Sequence, residues 1–231
     1  MGFLIQEIYE KVKSNPNEPF YIKDGFDYNS ILSWNDINSY LNNIFNYIPD
    51  QISVIDNAGF KKSYNFLKIP YDQIYRFPIN QVIEDINEGK SFIIHNFTRF
   101  NEKINHIASE IENNFNDMSL DFHVYAGLSE NSNSFSIHKD SSFNFIFQID
   151  GQSHWKVYNK NDNIPYSNFD FDENLELIID TILTPGDLLY IPLGNYHKCI
   201  PLGKRISISS CFAPRTIGMD KRPQKWYTLN Y

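Results

Sequence analysis

Phe135-Ser136-Ile137-His138-Lys139-Asp140 is the stretch on which the reading of this chain turns, and Gly194-Asn195-Tyr196-His197 answers it further along. On an extended strand successive side chains alternate faces, so His138 and Asp140 point one way and Lys139 the other. A further imidazole from a neighbouring strand, His197, would put two nitrogens and a carboxylate on one side of a metal ion. His-x-Asp alone arises by chance in any chain with several His and many Asp. Its surroundings decide what it means.

Those surroundings read as short strands, near 122–128, 135–140, 143–149, 153–158, 175–183, 187–191 and 205–212, divided by Gly, Pro, Asn and Asp. That pattern predicts a mainly β double-stranded β-helix of the cupin and jelly-roll type with flanking helices. Apolar residues at helical spacing predict helices over 3–13, from a Ser33 cap to Phe45, over 80–87 with a stop at Gly89, and from a Thr98 cap to Phe115. Ser91-Phe92-Ile93-Ile94-His95 reads as a strand. Residues 46–78 read as short strands and loops. The expected division is an N-terminal extension over 1–78 packing on the barrel and a catalytic core with its tail over 79–231.

With 231 residues, 42% of them hydrophobic, 15 Tyr and 19 Phe, the chain can bury a sizeable core. Its net charge of −8 and the lack of any Lys/Arg block longer than a pair argue against a nucleic-acid partner and favour a basic protein partner. Two cysteines do not make a disulfide framework, which points to a reducing compartment and a cytoplasmic protein. The start does not read as a signal peptide, Gln6 departs from a myristoylation motif, and no apolar run is long enough to span a membrane. A homodimer is compatible with all of this.

The motif is completed by two further segments. Gln148-Ile149-Asp150-Gly151-Gln152-Ser153-His154-Trp155 reads as a hairpin with Gly at its turn. Leu183-Thr184-Pro185-Gly186-Asp187-Leu188-Leu189-Tyr190-Ile191-Pro192 reads as a tight turn into an apolar strand, and that strand ends in a loop carrying His197. Two His and one Asp form the facial donor set of non-haem Fe(II) oxygenases, which leaves open positions on the metal.

Over residues 77–212 the order His-x-Asp, Gln-x-x-Gly-x-x-x-Trp, Pro-Gly-Asp-x-Leu-Tyr-Ile-Pro and His resembles the JmjC-type, cupin-fold 2-oxoglutarate oxygenases. The similarity is greatest to the branch with ribosomal-protein hydroxylases and the asparaginyl hydroxylase acting on hypoxia-inducible factor. The resemblance implies Fe(II), 2-oxoglutarate and O2 as cofactor and co-substrates, with His138, Asp140 and His197 as catalytic metal ligands. It implies hydroxylation of a protein or peptide side chain, or less often of a small molecule, with release of succinate and CO2. Asn144 and Tyr125 match residues near the co-substrate, and His123 replaces the family's usual Asn. Ser153 stands where many members carry the Lys or Arg that pairs with the distal carboxylate of 2-oxoglutarate. A buried carboxylate without a partner costs several kcal/mol. Arg205, helped by Ser207 and Tyr125, is the expected replacement, because a guanidinium suits bidentate carboxylate binding.

Two other classes fit the same residues: a cupin metalloenzyme or isomerase without 2-oxoglutarate, and a non-catalytic binding module. His95, His106 and His154 read as structural, Cys199 and Cys211 as small core residues, and Trp155 as core packing. Trp226-Tyr227 could dock on the barrel or cover a partner surface.

Overall fold

The computed structural model describes residues 2–29, 31–43, 46–47, 51–56, 59–62, 64, 67–68, 75–76, 78–115, 118–161 and 175–214. In chain order these form α1 (Gly2–Ser14), β1 (Phe20–Ile22), α2 (Trp34–Asn43), β2 (Asn46–Tyr47), β3 (Ile52–Ile55), β4 (Leu67–Lys68), β5 (Tyr75–Arg76), α3 (Ile79–Asn87) and β6 (Ser91–Ile94). A 3-10 turn (Phe97–Phe100) leads into α4 (Glu102–Asn114). The rest is strand: β7 (Met118–Gly127), β8 (Asn144–Asp150), β9 (Ser153–Lys160), β10 (Leu177–Leu183), β11 (Leu188–Ile191), β12 (Asn195–Pro201) and β13 (Arg205–Pro214). Trp226-Tyr227 lies outside the described residues, as do 162–174. No described helix is long and apolar enough to cross a membrane.

Among the described residues the strands form a major antiparallel sheet ordered β1-β11-β8-β13-β7-β6-β3, a minor one ordered β10-β9-β12, and a small one of β2, β5 and β4. The two larger sheets make the expected cupin-type, mainly β fold. Alternation sorts the side chains into two cores. On β7, Leu120, Phe122, Val124 and Ala126 face outward with Ile206, Ile208 and Phe212 of β13, and Ile5, Ile8 and Val12 of α1 and Ile104, Ile107 and Ile111 of α4 cover them. Between the sheets a second cluster joins Ile146, Leu189 and Ile191 to Trp155, Val157 and Cys199. β11 contributes to both cores, which is why its four residues are all apolar and buried.

Two strands that precede residue 78 belong to the major sheet. β1 pairs with β11 at one edge and β3 with β6 at the other. Trp34, at the start of α2, donates its indole N–H to Asp150 at 2.7 Å, and Lys204 lies over its ring. α2 starts as expected: Ser33 donates to the Asp36 carboxylate and Asp36 N–H donates back to Ser33 Oγ, a reciprocal cap.

α4 starts differently from the expectation. Thr98 sits in the 3-10 turn with its hydroxyl engaged by the Asp121 carboxylate and by Phe122 N–H, so it ties that turn to β7. The cap is Asn101, extended at φ −142°, whose side chain accepts from Ile104 N–H at 3.0 Å. Cys211 is exposed, against the expected core position, because it lies on the opposite face of β13 from Ile208 and Phe212.

Candidate metal centre

The two histidines are brought together by one antiparallel bridge. His138 N–H donates to His197 O at 3.2 Å and His197 N–H to His138 O at 2.8 Å. Directly opposed residues in an antiparallel pair project to the same face, and the imidazole centroids lie 4.4 Å apart. The local structure differs from both expectations for these segments. Residues 135–140 form bridges at Ile137 and His138 in place of a strand, and His197 stands on the buried strand β12 in place of a loop. The turn at Gly194, φ 86°, ends early enough for Tyr196 and Cys199 to be buried along that strand.

Each imidazole is fixed by its own backbone. His138 Nδ1 lies 2.8 Å from Ser136 O, and His197 Nδ1 lies 3.2 Å from Asn195 O. A carbonyl only accepts, so both Nδ1 atoms carry protons, which leaves the two Nε2 atoms as the positions able to ligate a metal. Both face a carboxylate: His197 Nε2 is 3.4 Å from Asp140 Oδ2, and His138 Nε2 is 3.8 Å from Asp140 Oδ1. Burial and the neighbouring His197 push His138 down to about 4. Burial alone would raise Asp140, but hydrogen bonding with His197, the charges of both imidazoles and the Asn144 amide hold it at about 2. Three groups able to ligate a metal converge, their ligand atoms all within 4.8 Å of one another. Two imidazole nitrogens and one carboxylate make the N2O set that fits a non-haem iron.

The triad opens onto a cavity of about 290 Å³ between the sheets. Arg205, Tyr125, Ser207 and Ser209 line one wall, while Trp155 and Cys199 line the other. Arg205 is 1% exposed and is the bulkiest of the fully buried side chains. Its Nη2 donates to Ser91 Oγ at 3.2 Å, its Nε has no hydrogen-bond partner, and no ion pair to it is found among the described residues. A permanently charged group buried with one neutral partner is a costly arrangement unless an anion completes it. Gly151 sets the guanidinium's starting point: at φ 64° it packs so closely on β13 that a Cβ would lie 1.9 Å from Lys204 O.

Tyr125 lies opposite Ser207 in the β7–β13 register, and burial and Asp140 raise its phenol, so it stays a hydrogen-bond donor. Ser207 has given its proton away. Its hydroxyl donates to Gln148 Oε1 at 2.8 Å, and Gln148 Nε2 is held by the carbonyls of Asp150, Gly151 and Ile206. The motif glutamine thus locks the hairpin and turns the lone pairs of Ser207 outward. Ser153 is fully buried and its Oγ has no hydrogen-bond partner. Asn144 donates its amide to Asp140. The Asp of Pro185-Gly186-Asp187 is structural: its carboxylate accepts from Thr184 N–H and Oγ and from Asp24 N–H.

Cys199 and Trp155, expected only as core residues, also face the cavity. The signal was the two-residue spacing from His197 to Cys199, which carries meaning only once β12 is known to be a strand. His95 accepts or donates at Ser53 Oγ (3.0 Å) and packs edge-on against His123. His154 is paired with Asp180 and His106 with Glu110, so neither approaches the triad's donor set.

The model of the JmjC domain matches residues 94–219, more than half of the chain. Shorter stretches resemble curated proteins: 37% identity over 75 residues to ribosomal oxygenase 1 of Danio rerio, covering 29% of this chain and 14% of that protein. A stretch of 88 residues is 33% identical to the bifunctional lysine-specific demethylase and histidyl-hydroxylase NO66 of Aedes aegypti, covering 33% of this chain and again 14% of the relative. In fold, the chain is similar to the Escherichia coli ribosomal oxygenase YcfD solved with cobalt and 2-oxoglutarate, at TM-score 0.60 and 19% identity over 90% of this chain and 52% of that one. The domain match, the cupin-type sheets and the His138, Asp140, His197 triad together place this chain in the JmjC-domain family, the cupin-fold Fe(II)/2-oxoglutarate oxygenases.

Proposed function

We propose that this protein hydroxylates a side chain of a protein or peptide, with 2-oxoglutarate as co-substrate anchored by Arg205. The observation that carries the co-substrate assignment is the buried, anion-lacking guanidinium in the wall of the cavity that holds the triad. His138, Asp140 and His197 hold the iron, and Arg205 and the Tyr125 hydroxyl supply donors for the distal carboxylate. Ser207 has its hydroxyl proton on Gln148, so it offers the carboxylate no donor and acts by bracing the hairpin through Gln148. Ser153, which has no charge to offer, is buried and is not among the residues that line the cavity. When bound, iron and 2-oxoglutarate supply the oxidative chemistry: O2 is consumed, succinate and CO2 are released, and one oxygen atom enters the substrate as a hydroxyl. The protein fixes the imidazoles through their Nδ1 bonds, keeps the co-substrate end dry, and holds Tyr125 protonated.

The protein or peptide class of substrate is supported by the names of the relatives, ribosomal oxygenase and histidyl-hydroxylase, and by a net charge of −8 that draws basic segments. A reading without 2-oxoglutarate rests on Ser153 alone, and Arg205 removes its motive. The test is aerobic incubation with Fe(II), 2-oxoglutarate and basic ribosomal-protein peptides, followed by mass spectrometry. A gain of one oxygen that is lost in Asp140→Ala supports the proposal. Succinate formation unchanged by every peptide, with a small molecule hydroxylated instead, would overturn the substrate class.

A further inference from the structure

We infer that Asn144 is a positioning residue for the metal-binding carboxylate, setting the rotation of Asp140 so that both of its oxygens meet the imidazoles. This rests on the metal centre described above. The two histidines are restrained twice, by paired backbone and by Nδ1 bonds to carbonyls. Asp140 lies past the bridge at His138 in irregular backbone, and its side chain is 38% exposed. A carboxylate there has two soft torsions, so its rotation is set by the side chains that contact it.

Asn144 offers the opposite environment. It is the first residue of β8, paired with Ile191 of β11, and only 7% exposed. Its Nδ2 donates to Asp140 Oδ2, the oxygen that faces His197 Nε2, which leaves Oδ1 turned to His138 Nε2. The amide's orientation is dictated by charge, because the side-chain carbonyl would repel the carboxylate. A rigid strand residue thus pins the one ligand that secondary structure does not hold. Asn144 is not among the residues that line the cavity, which separates this role from direct contact with the co-substrate.

The test uses the full-length protein with Co(II) as the probe, following binding by calorimetry and the visible absorption of the saturated site. Asn144→Ala is expected to weaken Co(II) binding by about 10–100-fold and to alter the Co(II) absorption bands, with the melting temperature of the metal-free protein close to wild type. Asn144→Thr, which keeps a hydroxyl donor and suits a strand, is expected to recover part of the affinity and guards against a fold defect in the alanine variant. Wild-type Co(II) affinity and spectrum in both folded variants would overturn the inference, as would an effect confined to 2-oxoglutarate affinity at saturating Co(II). If the wild type itself bound no Co(II), the metal centre would be at fault and Asn144 would fall with it.

Discussion

His138 and His197, far apart in the chain, exchange both backbone hydrogen bonds across one isolated antiparallel bridge, and this pairing, with no continuous strand around it, aims both Nε2 atoms at Asp140. The metal centre is therefore assembled by tertiary pairing of a loop with β12. Its donor geometry depends on the backbone at two places only, which makes side-chain substitutions nearby informative.

Arg205 is the first such position. If it anchors 2-oxoglutarate as proposed, a guanidinium buried with only Ser91 as partner costs stability in the ligand-free protein. Arg205→Met is expected to melt at or above the wild-type temperature while weakening 2-oxoglutarate binding by ~30-fold or more. Arg205→Lys should fall between, since an ammonium lacks the bidentate fork. Differential scanning fluorimetry with and without 2-oxoglutarate checks both halves. A marked drop in the ligand-free melting temperature together with unchanged ligand stabilisation would make Arg205 structural.

Gly151 holds the hairpin against the backbone at Lys204. Gly151→Ala combines a φ of +64° with a Cβ placed 1.9 Å from a carbonyl oxygen, and nothing flexible stands in the way to yield. A loss of at least ~2 kcal/mol in urea unfolding is expected. Because β13 starts at that contact, 2-oxoglutarate affinity should fall as well in whatever fraction remains folded.

How much of this was legible in the residues depends on the kind of information each element carries. Strands whose apolar residues alternate, such as β7 and β13, and turns marked by Gly151 and Gly186 were readable because the pattern is local. The donor triad was readable because its chemistry admits few residue types. The bridge was not: Phe135 to Asp140 has the composition of a strand, but it pairs only through bridges at Ile137 and His138. β12 was hidden behind Gly194, whose turn looked like the beginning of a longer loop. Thr98 and Asn101 are both good caps, and what chose between them was Asp121, a partner on β7 that no local window contains. The place of residues 20–22 and 52–55 at the two edges of the major sheet likewise follows from pairing at a distance.

The Asp85 cluster gives the pH dependence of stability. Asp85, 3% exposed, accepts from Lys62, Lys90 and Tyr64, and joins α3 to the segment after β3. Burial raises this carboxyl, but the two lysines and the phenol outweigh that and lower it from 3.8 to about 2. A folded value below the unfolded one means that the stabilisation is complete above the unfolded value and is lost as pH falls from 3.8 towards 2. Urea unfolding of wild type should therefore lose stability across that window more steeply than Asp85→Asn, which should be weaker than wild type at pH 7 by ~1–2 kcal/mol, since Lys62 reaches solvent and Lys90 keeps Glu88. Parallel pH profiles for the two proteins would remove the cluster from the account.

The most direct measurement is calorimetric titration of 2-oxoglutarate into the Co(II)-loaded protein, beside the Asp140→Ala variant treated identically. Saturable, one-to-one binding in the micromolar range is expected for wild type and none for the variant. Failure of the wild type to bind 2-oxoglutarate at millimolar concentration, with Co(II) bound, would contradict the proposed function.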